Sequence, residues 1–257
     1  MKKNDVVITG CPRSGTTILS QLFCKDPRIL VGNEVGFYTR WENNFTNRIC
    51  EVILSPDARP AFRRNRQFLL EKGIDPDIIR LLAKENNWTG KDYYNYISEK
   101  LSPEVQIFGD KMPIEYVAQL DSLAQQFPEM KFVILTRDGR SVIASQIDHW
   151  TENSLNHWTR PNIEEAEYLW LEQTKLLLDK IIDADFDRVK LVRYEYLVQN
   201  IDDTLVEISD FIGLDSPMKN NGLIQPTYTE KWKHEHPDMM DRLSTKFKTY
   251  LNLMGYY

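Results

Sequence analysis

Cysteine is scarce in this chain: Cys11, Cys24 and Cys50 are the only three among 257 residues. An odd and scattered set builds neither a disulfide framework nor a metal knuckle, and it fits a reducing compartment. Long hydrophobic runs are also missing. Nowhere do about 18 apolar residues follow one another, so no membrane span is predicted. After Met1-Lys2-Lys3 the apolar stretch is only Val6-Val7-Ile8, far short of a secretion signal. The expectation is a soluble, cytoplasmic protein. A positive excess is lacking as well: 32 Lys plus Arg stand against 38 Asp plus Glu, a net charge of −6. That balance excludes a coat for nucleic acid or anionic membrane, but not a local cationic pocket for one small anion. With 11 Gly and 12 Pro the chain is neither collagen-like nor of low complexity. A chain of this length buries roughly 70 to 75% of its unfolded surface, so residues 1–257 are expected to form a single domain.

Four β-rich runs stand out, Asp5 to Thr9, Val105 to Gly109, Lys131 to Thr136 and Val189 to Arg193. Their nearly continuous Val, Ile, Leu and Phe content predicts strands of a parallel sheet buried on both faces. Helical periods lie between them, best developed in Ile163 to Ile182 and in Asp202 to Ile212, the latter closed by Gly213. The segment Asp26 to Asn33 reads as a helix end, a turn and a short strand. This alternation predicts an α/β fold in three layers around a central parallel sheet.

The first strand runs into Gly10-Cys11-Pro12-Arg13-Ser14-Gly15-Thr16-Thr17 and then an apolar helix. A strand, a glycine-bounded loop and a helix N-terminus form the arrangement in which backbone amides and the helix dipole hold an anion. The spacing is that of the phosphate loop G-x-x-x-x-G-K-[ST], but Thr16 occupies the lysine position. Kinases and ATPases use that lysine with Mg²⁺ on the β- and γ-phosphates. A small-molecule kinase using ATP is therefore the alternative, and a loop whose own cation is Arg13 is the leading reading.

Cys-Pro-Arg-Ser-Gly-Thr-Thr resembles the 5′-phosphosulfate loop of sulfotransferases that use 3′-phosphoadenylyl sulfate (PAPS). Three further blocks are similar to that family's motifs, in the same order. Phe132 to Ser145 looks like the 3′-phosphate motif, with Arg137 at a strand end and Ser145 eight positions later. Val192-Arg193-Tyr194-Glu195-Tyr196-Leu197 resembles the Tyr-Glu-x-Leu segment. Gly109-Asp110-Lys111-Met112-Pro113 resembles the Lys-x-Pro turn. The resemblance covers most of the chain outside about 35–100. Its spacing is nearest the tyrosylprotein branch.

The resemblance implies a P-loop-like fold, PAPS as donor, adenosine 3′,5′-bisphosphate (PAP) as product, and no metal. It assigns Pro12, Arg13, Ser14, Gly15, Thr16, Thr17, Arg137, Ser145 and Tyr194 to the nucleotide, with Lys231 from Thr229-Glu230-Lys231-Trp232 closing over it. A guanidinium at a strand end is suited to forking onto a terminal phosphate, with a serine hydroxyl beside it. Arg13 and Lys111 are the cations expected to stabilise the bridging and sulfuryl oxygens, and Glu34 is the implied general base toward an acceptor hydroxyl. Cytosolic phenol and steroid sulfotransferases carry their histidine base where Pro113 stands, so that base is excluded here.

Residues 35–101 carry helical patterns and no clear strand. An insertion there is expected to sit over the carboxyl ends of the strands as an acceptor-binding cap. It is rich in aromatics and contains Arg59, Arg63, Arg64 and Arg66, which suggests an acidic acceptor, whether a tyrosine, a sugar or a small molecule carries the hydroxyl. His149 and His157 are further candidates for the acceptor site.

Overall fold

The structure, a computed structural model, describes residues 3–150, 159–182, 187–220, 222–224 and 230–257. Five parallel strands form the centre: β1 (Asn4–Gly10), β2 (Ile29–Asn33), β3 (Ile107–Lys111), β4 (Lys131–Thr136) and β5 (Val189–Arg193), in the order β2-β3-β1-β4-β5. Val6, Val7, Ile8, Phe132, Val133, Ile134 and Leu135 are fully buried, as expected of strands covered on both faces. The chain leaves β1 toward β2 and β3 on one side and later adds β4 and β5 on the other. The loop after β1 therefore opens at the topological switch point, where open α/β sheets take ligands.

That loop ends in α1 (Thr16–Lys25). Three helices, α2 (Pro60–Glu71), α3 (Pro76–Asn86) and α4 (Gly90–Lys100), follow β2, and α5 (Glu115–Ala118) and α6 (Leu120–Gln126) follow β3. Beyond β4 come α7 (Gly139–Asp148) and α8 (Ile163–Ile182). After β5 the chain forms α9 (Tyr194–Gln199), α10 (Ile201–Ile212), α11 (Trp232–Glu235), α12 (Met239–Arg242) and α13 (Thr245–Leu253). The sequence sets several ends: Asp75 caps α3 ahead of Pro76, a Thr89/Asp92 capping box opens α4, and Gly213 closes α10 in a left-handed conformation.

Two positions differ from expectation. The strand expected at Val105 to Gly109 begins instead at Ile107 and runs through Asp110 and Lys111. Gln106 and Ile107 both donate to the Arg28 carbonyl, which starts the ladder there. Its charged end stays in the sheet because both side chains find partners. The insertion, expected above the strand ends, also packs along the sheet's flank. Tyr38 and Tyr94 donate to Asp5 near the start of β1, and Lys3 reaches the Ser98 carbonyl of α4. Its aromatics share one core with the sheet, Phe37 stacking on Phe108 with centroids 5.3 Å apart.

The first turn of the insertion, Arg48 and one face of α2 reach the carboxyl end of β2. There the Asn65 side chain accepts from the Asn33 amide at 2.7 Å and donates to its carbonyl at 2.9 Å. The pairing substitutes for a neighbouring strand at the sheet's edge. A second core joins α7, α8 and the C-terminal helices through Val142, Trp170, Trp232 and Phe247.

Candidate functional site

Arg13 and Gly15 give the loop after β1 its shape, with φ of 73° and 95°. A Cβ on Gly15 would sit 2.4 Å from the Tyr194 ring, so close ring packing as well as backbone conformation demands glycine here. Tyr194 in turn lies under the Arg137 guanidinium, 4.3 Å from its ring centroid. Arg137 donates to the Arg13 carbonyl at 3.0 Å, and Arg13 Nε donates to Ser145 Oγ at 2.9 Å. Loop, β4 end, α7 and α9 are thus tied together by residues from three of the sequence motifs.

These groups line a cavity of about 180 Å³ with Thr16 and Thr17, and among the described residues no carboxylate is in its wall. Burial and the neighbouring Arg137 both lower the pKa of Arg13. Ser14 Oγ and Arg137 Nε are buried without a hydrogen-bond partner among the described residues. Two converging guanidiniums and unanswered donors fit a polyanion. A second cavity, of about 190 Å³, shares Arg137 and Ser145 with the first and is walled by Lys231, Trp232 and His149 together with Asp148 and Glu235. An anion that starts on the loop therefore has room to continue past Arg137 toward Lys231.

Asp138, next to Arg137, pairs with Arg140 at 2.7 Å and caps α7, which leaves Arg137 without that competitor. Glu195 accepts from the Asp138 amide and from Tyr256 Oη, each at 3.0 Å. The glutamate of the Tyr-Glu-x-Leu segment therefore fixes the turn that presents Arg137.

On the other side of the loop, register places Lys111 between Ile8 and Asn33, beside Glu34. Lys111 is fully buried, and burial lowers its pKa. Its Nζ donates to Glu34 Oε1 at 2.7 Å and to Thr17 Oγ1 at 3.2 Å. An ammonium has three donors, so one is left for a ligand on the loop. Glu34 keeps 18% of its side chain exposed, at the mouth of the site.

Glu34, Lys111 and Thr17 thus form one set of contacts and Ser145, Arg13, Arg137 and Tyr194 another, and the two meet at the cavity that Thr17 and Arg13 both line. Pro12 and Ser14 complete the loop. His149 Nδ1 lies 3.0 Å from the Ser145 carbonyl and lines the second cavity, while His157 and Thr229 lie outside the described residues. Of the basic run, Arg63 donates to the Ala58 carbonyl, and Arg66 joins the Leu54 carbonyl to Asp77. Arg64 donates to the Gln21 amide oxygen on α1, and its charge contributes to lowering the pKa of Lys111. Two residues that motif reading passed over, Asp110 and Arg48, grip the backbone after Glu34. A charged residue inside an apolar strand is the one signal that could have marked Asp110.

Residues 5–218 match the family model described as the sulfotransferase family. A Caenorhabditis briggsae chain described as a candidate protein-tyrosine sulfotransferase is 23% identical over 243 residues, spanning 90% of this chain and 69% of that one. Protein-tyrosine sulfotransferase 2 of Gallus gallus is 21% identical over 209 residues, 81% of this chain and 51% of its own length. Among solved structures, the sulfotransferase domain from the curacin biosynthetic pathway superposes with a TM-score of 0.69 at 19% identity, covering 100% of this chain and 99% of that one. No helix among the described residues is long and apolar enough to cross a membrane.

Proposed function

The chain belongs to the sulfotransferase family, and we propose that it moves a sulfuryl group from PAPS to an acceptor hydroxyl with Glu34 as general base. The observation that carries this reading is the convergence of Arg13, Lys111 and Glu34 on a phosphate loop with Thr16 in the lysine position. The family match does not favour the kinase alternative.

When bound, the donor supplies the SO₃ group and a phosphate leaving group. Backbone amides of the loop, Arg13 and the remaining donor of Lys111 are suited to the charge that collects on the bridging oxygen as its bond to sulfur breaks. Glu34 takes the proton of the acceptor hydroxyl as the new oxygen–sulfur bond forms. Arg137, with a buried unpartnered Nε, and Lys231 beyond it are suited to the 3′-phosphate. Exposed Arg59 is the cation of the basic run that remains available to an acidic acceptor, because Arg63, Arg64 and Arg66 each donate within the framework. A reducing, cytoplasmic setting accords with three thiols that are all free.

Thermal-shift titration tests the donor. With PAP at a hundred times its dissociation constant, linkage gives about 2.7 kcal/mol, which raises the melting temperature of a chain this size by about 5–10 °C. No Mg²⁺ is needed for that result. Stabilisation by ATP with Mg²⁺ and none by PAP would return the kinase reading. Arg137→Ala is expected to weaken PAP binding about 30-fold, or about 2 kcal/mol, as for a charge-assisted contact. An unchanged dissociation constant removes the 3′-phosphate assignment.

A further inference from the structure

Glu34 sits in a backbone conformation that its side chain does not favour, with φ of 59°. The turn it opens is held from both sides by charge, buried Asp110 and half-buried Arg48. Asp110 Oδ1 accepts from the Val35 amide at 3.2 Å, and Oδ2 accepts from the Gly36 amide at 2.7 Å. Arg48 donates through Nη2 to the Glu34 carbonyl and through Nε to the Val35 carbonyl, the latter at 2.7 Å. Two amides and two carbonyls of a three-residue turn thus end on one anion and one cation.

The surroundings are built for that arrangement. Asp110 is fully buried and also accepts from Tyr116 Oη at 2.6 Å. Its register partner on β2 is Gly32, where a Cβ would lie 2.7 Å from Asp110 Oδ1, so no other residue leaves the carboxylate its place. Successive residues of a strand point to opposite faces. Lys111 therefore takes the Glu34 carboxylate on one face while Asp110 takes the backbone just after it on the other. Arg48 stands on a π-helix, Arg48–Ile53, a rare geometry that is frequent at functional sites.

We propose that Asp110 and Arg48 are positioning residues for Glu34, holding its turn left-handed so that the carboxylate meets Lys111 at the mouth of the site. The inference rests on the reading of Glu34 as base. Asp110→Asn replaces an acceptor oxygen by an NH₂ that faces a backbone amide, and the turn is expected to relax.

The test uses the full chain. A crystal structure of Asp110→Asn is expected to show Glu34 at negative φ and its carboxylate more than about 4 Å from Lys111 Nζ, beyond ion-pair range. An unchanged turn overturns the proposal. Radiolabelled transfer from PAPS to 4-nitrophenol, used as a phenolic probe, is expected to lose about 10- to 100-fold in kcat, the scale of a misplaced catalytic group. PAP affinity should stay within about twofold, because the nucleotide cavity is on the far side of Lys111.

In a Glu34→Gln background the same substitution should cost nothing further. A full additional loss there overturns the positioning role alone, whereas a normal rate in Glu34→Gln by itself overturns the base assignment and this proposal with it. Arg48→Lys, which keeps the charge, should retain more kcat than Arg48→Ala, and equal losses in both count against Arg48. Should Asp110→Asn fail to fold, the Arg48 pair measured in both backgrounds decides the same question.

Discussion

Glu34→Gln is expected to slow sulfuryl transfer by about 10²- to 10⁴-fold, the range over which a positioned base acts. The substitution isolates proton transfer better than most. Glutamine has the length of glutamate, and its amide oxygen can still accept from Lys111 Nζ, which lies 2.7 Å from Glu34 Oε1. The backbone bonds of the turn to Asp110 and Arg48 do not involve the side chain. PAP affinity and melting temperature should therefore stay near those of the parent while kcat falls. Saturating donor and a fixed acceptor make kcat the informative quantity. A variant that keeps kcat within a few-fold of the parent would show that another group, or water, accepts the proton.

Lys111→Met should lower kcat by about 10²- to 10³-fold, the usual cost of losing one preorganised donor to developing charge. Its melting temperature should not fall. The ammonium is fully enclosed, burial opposes its charge, and methionine fills a similar volume without it. Glu34, left without its partner, is 18% exposed and reaches water. The combination of lost rate and kept stability is what a charge retained for chemistry predicts. Thermal denaturation beside single-turnover kinetics reads both quantities. A variant that unfolds at markedly lower temperature would make Lys111 a structural ion, and one with parental kcat would remove it from the reaction.

Much of the site was legible because its residues sit where local pattern is strongest. The loop from Gly10 to Thr17, Arg137 and Tyr194 follow directly on runs of β-formers, and Ser145 is one helical step further on. A strand end is readable from one sequence, and in a parallel sheet all carboxyl ends meet on one edge. What those residues touch was less legible. Ser145 is expected to offer its hydroxyl proton to a phosphate, but that its oxygen also accepts from Arg13 was not visible in the sequence. Glu195 was visible as part of a motif, but its bond to the Asp138 amide was not.

Asp110 and Arg48 were missed for a physical reason. Arg48 binds carbonyls, which every residue has, and Asp110 binds amides about 75 positions away in the chain. No spacing rule encodes such pairings. The contacts of the insertion were hidden for a similar reason. Helical period revealed α2 to α4, but the flank they cover is set by Tyr38, Tyr94 and Lys3 reaching the far end of β1 and α4.

The two outer strands of the sheet differ in how open they are to a newcomer. At the carboxyl end of β2, both outward-facing backbone groups of Asn33 are consumed by one amide side chain from α2. Another polypeptide arriving at that point finds no donor or acceptor to copy, so templated strand addition is blocked there by a residue rather than by repulsion. β5 has exposed Leu191 flanked by half-buried Lys190 and exposed Arg193, and on that side charge must do the same work. Exchanging Asn65 for an apolar residue would thus turn a sealed border of this fold into a second place from which fibrils or off-pathway dimers could grow.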